Sequence, residues 1–478
     1  MLFNLDWLNT GEVFPPKSEV PRIKAYNDNK GLYEGNMLSV MPAYRNRIIQ
    51  ILNKFELLDP TAYIPEENYF QLTTKKYADI SVGEPPTLTS ETYQQTLSDI
   101  AERTDLFNKL HEIVADISIY GDSVARILTD EDGKNDFLLY APTMWYPICD
   151  TERVKTFTAH VLCWVVEKKV NKQAMAELHV QIHEKGRYTN RIFVIENSQN
   201  YSLLESQNIQ YTGYELGQEL QQSRIDSFVA ETVPTGLQDF AVIPFASSTT
   251  SDTPFGTSDY DAFSVVVAER TVRLVLENVV LDKHSAPKMA GVAINDTYGE
   301  GLSGDYIEVP EGQTMPQYLT WDSQQTAVEN MLNRLTKSIY DLSEMGALIS
   351  DEAVGNSQGY DALEIKLTNV RTKARRLTSK IERNFKKLIS LISQIGYTPI
   401  TPKDFTVTWH DGIPQNAWRE ADIAQKEAQF KSTKTILKEH FGYSEEEAEI
   451  EAEEKTAEQS VGFGGVFDHT ITEEAING

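Results

Sequence analysis

From Gln324 to Ile395 the chain reads as one long helix, a Gly- and acid-bearing break, and then a second, longer helix. In the second helix, apolar residues fall at Leu363, Leu367, Val370, Ala374, Leu377, Ile381, Phe385, Leu388 and Ile392. Steps of three and four are the period of one helical face. At about 1.5 Å per residue, a helix from Ser357 to Ile395 spans roughly 55–60 Å, where an ordinary globular helix has about 11 or 12 residues. A rod of that length acts as a spine, around which other elements must be arranged.

Charge divides the chain. The 478 residues carry a formal net charge of −27, with a pI near 4.7. Tight nonspecific nucleic-acid binding depends on Lys and Arg neutralising phosphates, so this balance argues against it, while leaving room for a surface past which DNA slides. Asp361 to Lys387 nevertheless holds nine Lys or Arg against three acids, and Phe441 to Gly478 holds eleven acids against one Lys. A basic spine and an acidic tail belong in different environments. The start, MLFNLDWLNTGEVFPPK, lacks the basic and apolar regions of a signal peptide, and the best apolar run, Val161 to Val166, is far short of a bilayer span. The expectation is a soluble, intracellular protein of two to four domains with no membrane partner.

The periodicity predicts a helical N-terminal region, with helices over Met41–Leu58 and Thr89–Ile119 and a less regular stretch, Tyr63–Asp79, between them. At Tyr120-Gly121-Asp122 the period switches to alternation, and strands are expected at Ser123–Leu128, Asp136–Ala141, Thr156–Glu167, Ala176–His183 and Tyr188–Glu196. Gln-rich Glu205–Ser223 reads as a surface excursion, and Ala241–Phe245 as the strand that closes the region. Ser258 with Asp261 suggests a cap for a helix reaching Leu281, and Asp322 with Gln325 a cap for the next. Between those helices, Lys288–Ile294, Asp305–Val309 and Gln317–Trp321 read as short strands. A strand at Phe405–Trp409 and helices over Asn416–Phe441 and Ser444–Gln459 follow. The fold class is α+β.

Enzymatic motifs are weak. Gly355-Asn356-Ser357-Gln358-Gly359 matches a nucleophile elbow, but the acidic residues before it make a poor strand, so Ser357 reads as the cap of the long helix. Gly133-Lys134 lacks the rest of a phosphate-binding loop. The eight His are scattered in sequence, and His410-Asp411 reads as a turn after a strand. Cys149 and Cys163 are too few for a disulfide framework and read as small buried apolar residues. No cofactor and no metal site is expected. The spine cations Lys366, Arg371, Lys373, Arg375, Arg376, Lys380, Arg383, Lys386 and Lys387 could contact phosphates; pairing with acidic neighbours, in this or another subunit, is the favoured reading.

The order of elements resembles the portal proteins of tailed bacteriophages. The resemblance rests on Tyr120-Gly121-Asp122-Ser123-Val124-Ala125 opening a strand, a helix, a small β insert, a helix ending in Ile339-Tyr340-Asp341-Leu342-Ser343, an acidic loop, and Ser357-Gln358-Gly359-Tyr360-Asp361-Ala362-Leu363 entering a helix with Lys366. It implies a portal-like fold: an α/β wing over 1–257 with 396–415 returning to it, two stem helices over 258–283 and 322–342, a small β-containing clip over 284–321, a tunnel loop over 343–357, a long spine helix over 358–395, and a helical C-terminal crown with an acidic tail over 416–478. It further implies a non-enzymatic dodecameric ring at one capsid vertex of the virion, assembled in the host cytoplasm, through which double-stranded DNA is packaged and ejected. The implied partners are further copies of the chain, the major capsid and scaffolding proteins, the terminase large subunit, and head-completion or adaptor proteins. The resemblance assigns Glu344, Met345, Gly346, Ser350, Asp351, Glu352 and Gly355 to the loop beside DNA, Lys366, Arg371, Arg375 and Arg376 to spine contacts, and Lys288, Tyr306, Tyr318 and Trp321 to clip partners. The loop holds no Lys or Arg, so steric gating suits it better than clamping. The competing classes are a hydrolase using Ser357, a carboxylate nuclease, and a non-viral structural ring.

Overall fold

The computed structural model describes residues 1–55, 60–170, 173–203, 209–285, 288–291, 306–308, 317–319, 325–346, 360–410, 426–427, 430–441 and 448–453. The chain forms two units, 1–412 and 413–478. The first begins with β1 (Val13–Phe14), α1 (Val20–Tyr33), α2 (Met37–Val40), α3 (Pro42–Asn53), α4 (Tyr69–Val82), β2 (Thr87–Thr89), α5 (Gln94–Arg103) and α6 (Leu106–Tyr120). Two sequence expectations are corrected here. The stretch read as less regular contains α4, started by Asn68, whose side-chain oxygen accepts the Gln71 N–H at 3.0 Å, and anchored by buried Phe70, Tyr77 and Ile80. The helix expected over Thr89–Ile119 is two helices, because Asp105 adopts a left-handed φ of 51° between them. The Thr104 hydroxyl, donating to the Ile100 carbonyl at 2.8 Å, holds the end of the first.

Gly121 then turns the chain into β3 (Asp122–Thr129), with φ at 88°. Its backbone passes against Gly256 so closely that a Cβ on Gly121 would stand 2.5 Å from the Gly256 carbonyl oxygen. Asp122, fully buried, ties the crossing by accepting the Gly256 N–H at 2.9 Å and the Tyr26 hydroxyl at 2.5 Å. Burial raises the Asp122 carboxyl to about 6, against the pull of these donors and of Arg22. Strands β4 (Asn135–Tyr140), β5 (Trp145–Cys149), β6 (Phe157–Val170), β7 (Gln173–Glu184), β8 (Arg187–Leu203), β9 (Ile209–Leu220), β10 (Thr232–Pro234) and β11 (Val242–Ala246) follow. A three-stranded antiparallel sheet runs β11-β3-β4, and a seven-stranded sheet runs β1-β9-β8-β7-β6-β5 with β10 on β8.

Strand β9 overturns the expected Gln-rich excursion. Its backbone pairs along β8 from Leu203 opposite Ile209 to Ile192 opposite Leu220, and Leu216 is fully buried. The polar composition obscured a pairing that the backbone supplies whatever the side chains. Cys149 and Cys163 are free and buried, as expected.

The two faces of the large sheet differ in chemistry. Val161, Cys163, Leu178, Val180, Phe193 and Leu216 pack with Trp7, Leu8 and Phe14 into one apolar core. The alternate residues of β6 and β7 bury His160, Glu177, His179, Gln181 and His183. Histidines scattered in sequence are thus gathered onto one face, with His160 and His183 directly opposite each other. His160 accepts the Trp145 indole N–H on Nδ1 at 3.1 Å and meets the Phe157 ring at a tilt and the Phe240 ring edge-on. Burial and the Lys387 charge lower its imidazole to about 3, with Asp239 opposing. His183 is pushed well below its ordinary value by burial, Arg126 and His160. Imidazoles depressed in the folded state contribute stability that is full above about pH 6.5 and is lost as pH falls toward 3, where the unfolded chain takes the protons. Asp116 and Asp122, raised by burial to about 7 and about 6, push the opposite way over part of that window. The imidazole is therefore isolated by difference: His160→Phe should move the acid-unfolding midpoint, followed by circular dichroism, to lower pH than the parent. An unchanged or higher midpoint would show that the neutral imidazole is not the acid-sensitive group.

A 3-10 turn at Asp259–Ala262 leads into α7 (Ser264–Ser285). Ser258 does act as a cap, but of this turn, accepting the Tyr260 N–H while its own hydroxyl donates to the Ser118 and Ile119 carbonyls. Beyond α7 lies a three-stranded sheet of β12 (Lys288–Gly291), parallel to β13 (Tyr306–Glu308) and antiparallel to β14 (Gln317–Leu319). Next come α8 (Gln325–Ser343), the 33-residue α9 (Tyr360–Ile392), and β15 (Thr406–Thr408), which pairs with β2. Helices α7 and α8 run antiparallel: Arg270 Nε donates to Thr336 Oγ1 at 2.8 Å, and one turn away Val267 shares a cluster with Ile339.

The apolar stripe of α9 is buried from Leu367 through Val370, Ala374, Leu377, Ile381, Phe385 and Leu388 to Ile392, at no more than 5% exposure. It lies against α4 and the β11-β3-β4 sheet, with Asn384 donating to the Pro244 carbonyl at 2.7 Å and the Leu391 carbonyl accepting from Asn135. Its C-terminal end is fixed by Ser390 and Ser393, which bond the backbone of Ile400.

In the second unit, the single helix expected over Asn416–Phe441 is corrected: α10 covers Thr433–Phe441 and follows a turn and bend at Phe430 and Lys431. The Ser432 hydroxyl accepts the Thr435 N–H at 3.2 Å, starting the helix there. Among the described residues Lys434 reaches Glu449 at 3.2 Å.

Candidate functional site

The site of interest is where α8 ends and the break begins. Ser343 closes the helix, and Glu344 turns out of it at φ 60°, a left-handed conformation that glycine usually supplies at a helix end. Met345 is fully buried just beyond, and Gly346 crosses Tyr340 so closely that a Cβ there would stand 3.0 Å from the Tyr340 Cβ.

Two cations of α9 meet this turn. Lys373 sits on the apolar face, three residues after Val370 and four before Leu377, and is 4% exposed. Its Nζ donates to the Ser343 carbonyl at 2.9 Å, one of the acceptors a helix end leaves without an internal partner, and pairs with Asp259 at 2.9 Å. It also lies 4.3 Å from the centre of the Tyr77 ring. A buried ammonium is tolerated only when satisfied in this way. Burial and the Asp259 charge drive the Tyr77 hydroxyl well above its ordinary value, so the ring stays neutral. Arg376, about half exposed, donates from Nη2 to both Glu344 oxygens at 2.9 Å. Exposed pairs contribute little, roughly 0–1 kcal/mol. Glu344→Gly removes that pair and also the left-handed strain, so the thermal midpoint should stay within about 3 °C of the parent. A larger fall in calorimetry would mean that the pair holds the turn.

The turn, the helix and the loop before α7 enclose a cavity of about 160 Å³, lined among others by Ser248, Asp259, Glu344, Lys373, Arg376 and Lys380. Lys380 Nζ donates to Ser248 Oγ at 2.9 Å.

Among the residues expected from the sequence, the structure brings Glu344 and Arg376 together and buries Met345 beside Gly346. Arg375 is exposed on α9, Arg371 is half-buried, and Lys366 lies on the same helix. Ser350, Asp351, Glu352, Gly355 and Ser357 lie outside the described residues, as does Trp321. Lys288, Tyr306 and Tyr318 fall on β12, β13 and β14, with Tyr306 and Tyr318 both in register with Met289. His410, read as part of a turn, shares a 2.8 Å hydrogen bond with Thr87. The sequence places Lys373 among the spine cations without distinguishing it from them, and gives no sign of Asp259 or Tyr77 as its partners. The available signal was a lysine standing inside an apolar helical stripe, which demands a buried acid.

A long helix packed on an antiparallel sheet, with an antiparallel helix pair bracketing a small separate sheet, makes this an α+β protein. The family model described as phage portal protein, SPP1 Gp6-like, matches residues 22–179 and 270–461. The chain therefore belongs to the phage portal protein family, a structural and non-enzymatic one. No curated protein matches. Among solved structures, a chain from the virion of a native gene transfer agent particle is similar at a TM-score of 0.40 and 10% identity, covering 90% of this chain and 95% of that one.

Proposed function

We propose that the chain is the subunit of a dodecameric ring at a unique capsid vertex, through which double-stranded DNA enters and leaves. Membership of the portal family carries this reading. In it, 1–257 with 396–415 form the wing, α7 and α8 the stem (258–283 and 322–342), 284–321 the clip, 343–357 a tunnel loop facing DNA, 358–395 the spine and 416–478 the crown. Lys288, Tyr306, Tyr318 and Trp321 of the clip meet the terminase large subunit during packaging and head-completion or adaptor proteins afterwards. The outer parts of the ring meet the major capsid and scaffolding proteins. Lys366, Arg371, Arg375 and Arg376 serve as spine contacts.

Two physical observations support it. Val265, Leu281, Met331 and Leu342 leave apolar side chains 38–58% exposed along the two stem helices, apolar surface suited to contact with further copies of the chain. A net charge of −27 per subunit gives a ring whose wall repels phosphate, so DNA moves through without being held. Glu344, Met345 and Gly346 form the root of the tunnel loop and Ser350, Asp351, Glu352 and Gly355 belong to its course; lacking cations, it gates by bulk.

Native mass measurement of the purified assembly tests the reading. A particle about twelve or thirteen times the 54.1 kDa chain is expected. A stable monomer would overturn it. A crosslinker placed at Ser350 should capture DNA in filled particles, and its failure to do so would remove the loop from the channel.

A further inference from the structure

We propose that the cavity at the root of the break binds a phosphate group, and that this ligand competes with Glu344 for Arg376. Arg376 and Lys380 stand four residues apart on α9, where like charges repel across one turn. Arg376 uses only Nη2 to hold Glu344. Among the described residues Lys380 has no acidic partner and donates to Ser248 Oγ. Lys155 approaches from the neighbouring loop, donating to Thr249 Oγ1 at 3.1 Å. Burial together with the Arg376 and Lys155 charges lowers the Lys380 ammonium from its ordinary value, as expected for crowded cations lacking an anion.

Several other lining groups are already engaged. Lys373 is satisfied by Asp259, the Ser343 carbonyl and the Tyr77 ring. The Ser247 and Thr257 hydroxyls donate to the carbonyls of Thr257 and Ser248. Among the described residues, the donors left over include those of Arg376, Lys380 and the Ser248 hydroxyl, which line a space of about 160 Å³, enough for a tetrahedral oxyanion with water. Asp259 and Glu344 are the acids that oppose an anion there. Asp259 is tied to Lys373, whereas Glu344 is about 40% exposed and can leave. A phosphate that takes Arg376 therefore releases the Glu344 side chain from its ion pair.

Titration calorimetry of inorganic phosphate into the full-length assembly, at ionic strength held constant with chloride, tests this. Saturable binding is expected, weakened about tenfold in Lys380→Met and strengthened about tenfold in Glu344→Gln, the loss of one charge-assisted partner or of one competing charge. Lys380 is exposed and the Glu344 side chain is about 40% exposed, so both variants should fold with parent-like thermal midpoints. A short DNA duplex added in competition distinguishes the source: displacement of phosphate identifies a DNA backbone, and its absence a free phosphate. No saturable binding in the parent, or equal affinity in Lys380→Met, overturns the site. Unchanged affinity in Glu344→Gln overturns the competition.

Discussion

Lys373→Met should lower the stability of the first unit by about 3–5 kcal/mol, the cost of removing one partner from a buried ion pair. Methionine fits the space, since the residue lies on the apolar face between Val370 and Leu377. What it cannot do is answer Asp259, whose side chain is only 19% exposed, or the Ser343 carbonyl at the end of α8. Adding Asp259→Asn to Lys373→Met should restore a large part of the loss, because the stranded charge is gone, but not all of it, because the carbonyl still lacks a donor. Urea unfolding, with midpoint and slope compared across the three proteins, decides the matter. A single variant within about 1 kcal/mol of the parent would mean that the ammonium does not hold the root.

The other large effect is expected at Gly121. Gly121→Ala places a Cβ in a left-handed backbone and drives it to 2.5 Å from the Gly256 oxygen, where the obstacle is backbone and cannot rotate aside. A loss above about 4 kcal/mol is expected, enough to abolish soluble protein in a domain of ordinary stability. Gly133→Ala is the matched control. Its φ of 74° is similarly left-handed, but nothing lies within 4 Å of the added carbon, so only the conformational cost of about 1 kcal/mol remains. Soluble yield and thermal midpoints of the two variants should differ widely. If they match, the crossing with Gly256 is not what requires glycine at position 121.

Much of this fold was legible because it rests on periodicity. Leu367 to Ile392 repeats at three and four, and the structure buries that face against the sheet. Strands β3, β4, β6 and β7 fall where the sequence predicts them, within a few residues at each end. Strand β9 does not: Gln, Glu and Gly fill it, and its pairing with β8 is a backbone matter that composition masks. The break at Asp105 was hidden for a similar reason, since one residue in a left-handed conformation leaves the apolar period on both sides almost intact.

The site was legible only in halves. Glu344 belonged to the break and Arg376 to the spine, and both stood out as charges, but sequence could not say that they meet. Lys373 meets Asp259 across more than a hundred residues of chain, a contact set by how α9 lies on the body. Local rules fix faces and caps; they do not carry the register of one element against another.

Along α9 the cations form a line of rivets: Lys373 to Asp259, Arg376 to Glu344, Lys380 to Ser248 and Lys387 to Asp239, each joining the helix to a different neighbour. A chain joined in this way cannot drift freely at one end of a rivet. Across related sequences, positions 373 and 259, 376 and 344, and 387 and 239 should change together or keep opposite signs, while exposed Arg375 and Arg383 wander alone. The long helix would then carry in its pattern of coupled substitutions a record of where it is fastened.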